Sequence, residues 1–254
     1  MCVEAAVCFA LGQEHGDEPE CVAPAVRSFK IRLNDSKWSS NEARAKGMRR
    51  IAIAQLGTAG QIDEKEFARV LAELTIQRIV PIALRAAAEM QKDGARKAAL
   101  EDAANKCETD GTEQSAREAR KVAAGAANAA ADAADADDAD DAAFAAADAA
   151  RAADAGADAA DAALAAALAA ALAAADAADA ALAAADADDA AFAAADAAGR
   201  AAVRAANAAA SAAGRAAKRS KHDEILSIAA DIGVEALRIV GAAGVKLMDK
   251  LITP

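Results

Sequence analysis

Tyrosine is absent from this 254-residue sequence, tryptophan occurs once, and aromatic residues together make up 2%. A chain so poor in aromatic and β-branched bulk cannot fill a sandwich, a barrel or a doubly wound sheet. Histidine occurs only at His15 and His222, which leaves little for acid–base or metal chemistry. HExxH, GxSxG, GxxxxGKS/T and GxGxxG are all missing, and with them the usual metalloprotease, nucleophile-elbow and phosphate-loop geometries. The sequence therefore reads as a non-enzyme that uses no cofactor. Basic residues, at 29, are outnumbered by 40 acidic ones, and the net charge of −11 argues against a nucleic-acid binder that works by neutralising phosphates.

Long apolar runs are lacking too. The least charged stretch, Ala162 to Ala175 between Asp161 and Asp176, is too short and too alanine-rich to span a bilayer. The first residues carry Glu4 and no basic n-region, a poor signal peptide. Cys2, Cys8, Cys21 and Cys107 form no dense disulfide framework, so the expected setting is the reduced cytoplasm. A Cys8–Cys21 disulfide stays open for an exported chain. Cys2, Cys8, His15 and Cys21 match no compact zinc spacing, and Cys8 is expected to be a buried structural cysteine.

What is present is alanine, and charge divides it into zones. Residues 1–131 balance to zero, residues 132–198 carry −15, and residues 199–254 carry +4. The middle zone holds 43 alanines and 16 aspartates among its 67 residues, which makes it low-complexity. The run Asp-Asp-Ala-Ala-Phe-Ala-Ala-Ala-Asp-Ala-Ala at 140–150 returns at 188–198, and the 157–167 run returns at 175–185. That second offset is 18 residues, five full helical turns, which returns equivalent side chains to one face. Alanine has the best helix propensity of any residue, so the zone is expected to be helical. Gly156 and Gly199 are its only candidate breaks. A pentapeptide β-helix would need a large apolar residue at nearly every step, and most steps here offer alanine alone.

The first zone reads as a helical domain. Ser39-Ser40-Asn41-Glu42 offers a capping box with the hydroxyl of Ser39 three residues before a carboxylate, and Trp38 stands where a hydrophobic staple would. The helix that follows should carry Met48, Ile51 and Ile53 to the core and end near Gly57. Asp63 starts the next one, in which Phe67, Val70, Leu71, Leu74 and Ile79 share one apolar face. Pro81 stops or kinks it. Asp93-Gly94 and Asp110-Gly111 mark turns, and Thr112 caps the helix that enters the alanine tract. After a basic run from Arg200 to Lys221, Ser220-Lys221-His222-Asp223 is a further cap signature. Ile225, Ile228, Ala229, Ile232, Ala236, Ile239 and Val240 then form an amphipathic stripe that Gly241 and Gly244 end. Val245 to Ile252 reads as a last short helix.

The fold expected is all-α: an N-terminal multi-helix domain over 1–122, an alanine/aspartate-rich helical repeat region over 123–217, and a C-terminal helical cap over 218–254. Asp132, Asp135, Asp138 and Asp141 recur at three-residue spacing, where like charges on a helix repel. The basic 200–221 segment is the nearest supply of compensating charge and is expected to pair antiparallel with part of the acidic tract. With Asp186 and Asp189, the four aspartates are the candidate partner-binding residues, an acidic face for a basic protein. They are not a calcium loop, because 132–141 has no glycine and the zone no glutamate.

The order Leu74-Thr75-Ile76-Gln77-Arg78-Ile79-Val80-Pro81-Ile82-Ala83-Leu84, then Ala95-Arg96-Lys97-Ala98-Ala99-Leu100-Glu101-Asp102-Ala103-Ala104, then Ala116-Arg117-Glu118-Ala119-Arg120, is distinctive. Over residues 74–135 it resembles the Imm-5-like alanine-rich helical immunity proteins of bacteria. The resemblance implies a small cytoplasmic protein that binds and neutralises a cognate toxin, and it carries over no functional residues. The family's helices bear histidine where this tract bears aspartate. The alternative class is a structural or self-assembling protein that forms homo-oligomers through alanine faces. Ice binding is an outlier, since the tract resembles type I antifreeze helices in alanine content but has no threonine between Thr112 and Thr253.

Overall fold

The computed structural model describes residues 3–132, 146–147, 149–154, 156–157, 203 and 221–252. The described residues are helical or lie in turns, with no strand among them, so the fold is all-α as the composition requires. In chain order the helices are α1 (Val3–Ala10), α2 (Pro24–Asn34), α3 (Asn41–Ala54), α4 (Glu64–Arg78), α5 (Val80–Met90), α6 (Gly94–Asp110), α7 (Glu113–Asp132), α8 (Lys221–Ile239) and α9 (Ala243–Ile252). The described residues between 146 and 157 are helical as well and are called the alanine segment below. Two compact units interleave along the chain. Among described residues the first holds 3–72 and 230–252, and the second 73–132, the alanine segment, Val203 and 221–229. The proposed pairing of residues 200–220 with the acidic tract lies outside the described residues.

In the first unit, α1, α2 and α3 pack on one another and α9 lies on α3. Phe29, Leu33, Met48 and Ile51 are fully buried at its centre. α2 begins without a capping side chain of its own. Its open amides are met from elsewhere in the sequence: the Ala23 N–H donates to Thr58 Oγ1 at 2.9 Å and the Ala25 N–H to Glu64 Oε2 at 2.8 Å. Thr58 in turn donates to the Gln55 carbonyl at 2.8 Å, so one buried hydroxyl ties the start of α2 to the end of α3. α3 starts one residue later than the capping-box spacing suggests. Ser40, extended at φ −156°, is the cap and accepts from the Ala43 N–H at 3.1 Å. Trp38 is half-buried, and its indole donates to the Leu33 carbonyl at 2.9 Å, closing the last turn of α2. Of the three residues expected to bury from α3, Met48 and Ile51 do; Ile53 is only half-covered, and Ala54 takes the inner place.

Two glycines of this unit allow close approach. A Cβ on Gly233 of α8 would lie 2.5 Å from Phe29 Cε1 and 2.6 Å from Ile51 Cδ1. Gly244 does not end α8, as the spacing suggested; it lies inside α9, where a Cβ would meet the Ala54, Leu56 and Ile53 carbonyl oxygens at 2.5–2.7 Å. The terminator of α8 is Gly241 alone, with φ 75° and the Ala242 N–H bonded back to the Leu237 carbonyl at 2.9 Å. Of the expected stripe Ile225, Ala229, Ile232 and Ala236 are buried, together with Leu226, Ala230, Val234 and Leu237, while Ile228 and Val240 are half-buried and Ile239, the last residue of α8, is exposed.

The second unit grows from α5, α6 and α7, each packed on the other two. Phe67, Val70 and Leu71 in the first unit and Leu74 and Ile79 in this one are buried as expected, and α4 ends at Arg78 before α5 resumes at Val80 with Pro81 in its first turn. Asp93 caps α6 by accepting from the Ala95 and Arg96 N–H groups at 2.8 and 3.1 Å. Gly111 closes it at φ 63°. Thr112 and Ser115 then exchange reciprocal bonds at 3.2 Å at the start of α7. Arg85 of α5 reaches Asn105 and Glu108 of α6 at 2.9 and 2.6 Å.

Candidate protein-binding surface

Helix α7 buries Ala116, Ala119, Ala123 and Ala126, spaced so that one stripe of methyls faces inward. The alanine segment buries Ala146, Ala149, Ala152, Ala153 and Ala157 in the same fashion. Two observations give their mutual direction. A Cβ on Gly156 would lie 3.9 Å from Ala116 Cβ, and Arg120 Nε pairs with Asp154 Oδ1 at 3.0 Å. Position 116 faces 156 and 120 faces 154, so the two run antiparallel, as a hairpin. Gly156, which the sequence offers as a break, is a helical residue that rests on Ile76 Cγ1 and Val80 Cγ2, at 3.1 and 3.2 Å from its notional Cβ. Small residues allow this approach because no side chain holds the backbones apart.

Three ion pairs involve the described residues of this hairpin. Arg117 pairs with Glu113, Arg120 with Asp154, and Lys106 of α6 with Glu118. The hydrogen bond from Lys106, with a second from Gln114, holds the Glu118 carboxyl below the usual carboxylate range. Asp132 is the last residue of α7; Asp135, Asp138, Asp141, Asp186 and Asp189 lie outside the described residues. Among the described residues of α7 and the alanine segment, Glu113, Glu118, Asp132 and Asp154 balance Arg117, Arg120, Lys121 and Arg151, so the stem is neutral, and the sequence's run of aspartates starts where α7 ends.

No other constellation competes among the described residues. None of their His, Cys, Asp and Glu side chains gather in threes to hold a metal ion. Cys8, Cys21 and Cys107 are free thiols, with Cys8 buried in α1 and Cys21 half-buried, so the Cys8–Cys21 disulfide is not formed. Burial pushes the Cys107 thiol up to about 11, and its S–H donates to the Ser115 carbonyl at 3.5 Å, which marks it as an inert core residue. His15 is exposed in a polar bend. No described helix is long and apolar enough to cross a membrane.

Sequence reasoning missed Lys30. It lies on the inner face of α2 with Val26, Phe29 and Leu33 and is fully buried. Its phase gave the signal, since position 30 follows Val26 by four residues on the buried side. Also unforeseen are the exposed Phe9 and Leu11 near the start of the chain and Leu247 and Leu251 on one face of α9. The chain matches no protein-family model, and no curated protein or solved structure matches it.

Proposed function

We propose that this chain is a non-catalytic protein-binding protein whose acidic helical face, beginning at Asp132, engages a basic partner, in the manner of an immunity protein that neutralises a toxin in the bacterial cytoplasm. The observation that carries the reading is the neutralised alanine hairpin. Its stem consumes charge in matched pairs and turns its methyls inward, so it works as a rigid support, while residues 132–198 hold −15 with one arginine among them. Such a concentration of one sign favours steering and specificity toward a complementary surface. The same burial weighs against self-assembly through these particular alanines, because their methyls are already covered within the chain.

The test is affinity capture from the source cells at low and high salt, with the wild-type chain beside a variant carrying Asp132→Asn, Asp135→Asn, Asp138→Asn and Asp141→Asn. A basic protein retained by the wild type at low salt, released at high salt and lost with the variant is the expected result. Equal retention by the variant moves the contact away from these aspartates. No basic partner at any salt overturns the proposal, and a light-scattering mass above the monomer would then favour the self-assembling class.

A further inference from the structure

We draw no further inference here: the strongest candidate, the outer ridge of α9 where Lys246 and Lys250 alternate with the exposed Leu247 and Leu251, carries nothing because no feature of the described residues shows what covers it.

Discussion

Three glycine substitutions separate helix propensity from close packing and test whether the alanine hairpin is seated as described. Gly125 lies on the exposed side of α7 with nothing within 4 Å of its notional Cβ, so Gly125→Ala should gain only the propensity difference, about 1 kcal/mol. Gly156→Ala gains the same but pushes a methyl to 3.1 and 3.2 Å from Ile76 Cγ1 and Val80 Cγ2, which must give by a few tenths of an ångström. Overpacking of that kind costs about 1 kcal/mol, and the net effect should lie within about 0.5 kcal/mol of zero. Gly156→Leu cannot be absorbed. Either Ile76 and Val80 are displaced, or the hairpin lifts and uncovers Ala146, Ala149, Ala152, Ala153 and Ala157. At about 0.8 kcal/mol for each methyl, full lifting costs about 4 kcal/mol, and the expected loss is about 2–4 kcal/mol. With a urea slope of about 2 kcal/mol/M, the midpoint followed by helical circular dichroism should fall by about 1–2 M. A Gly156→Leu midpoint within about 0.2 M of wild type would refute the seating of the hairpin on Ile76 and Val80, and with it the rigid support the proposed function relies on. Gly244→Ala sharpens the contrast. Its methyl would meet three backbone carbonyl oxygens that have no rotamer to change, so alanine alone should destabilise there by about 2 kcal/mol.

Thr58→Val keeps the shape of a buried side chain but strands the Ala23 N–H, so it should lower stability by about 1–3 kcal/mol in urea unfolding; Thr58→Ser should recover most of that, and an unaffected Thr58→Val would sink the clamp. Acid should weaken the fold. Hydrogen bonds from Arg69, Arg85 and Lys106 hold the Glu66, Glu108 and Glu118 carboxyls below the usual range, and the Arg96 and Ala95 N–H groups do the same for Asp93. Stability from carboxyls lowered in the folded state is complete above their unfolded values and is lost as pH falls through the depressed ones, so unfolding midpoints should drop from about pH 4 downward. A midpoint that holds or rises between pH 7 and pH 3 contradicts these pairings. For cysteine, alkylation of the native chain at pH 8 followed by peptide mass spectrometry should label Cys21 and spare Cys8 and Cys107 until denaturant is added. Native labelling of Cys107 at the rate of Cys21 would show that α6 and α7 do not close over it.

The legible parts of the fold are those where a side chain names its own backbone partner. Asp63 and Thr112 mark helix starts because each can reach back-turn amides only from a cap position, and the structure finds both in that role, while Asp93, which with Gly94 reads as a turn, is the cap of α6. The shift from Ser39 to Ser40 shows the limit of that logic. Two adjacent hydroxyls carry the same propensity, and the choice rests on where the backbone leaves the helix after α2 is closed by Trp38. The apolar face from Phe67 to Ile79 was equally legible, since large residues at helical spacing fix a phase.

Alanine fixes no phase, because nearly every direction around such a helix looks alike, and this is where reading by residue ran out. A glycine in that setting is ambiguous: the same letter serves a break or a close approach, and only the neighbours Ile76, Val80 and Ala116 decide in favour of approach at Gly156. Gly244, which its spacing marks as a helix end, is a close approach for the same reason, its partners being the carbonyls of Ile53, Ala54 and Leu56 at the end of α3, far away in sequence. The candidate site inherits both sides of this. That negative charge accumulates from Asp132 onward was plain from composition. That the preceding stem is neutralised by pairs such as Arg120–Asp154 was not, since the two residues meet only once the chain has turned back on itself. The proposed function draws on both, a charge-balanced stem beneath the run of aspartates that the sequence starts at Asp132.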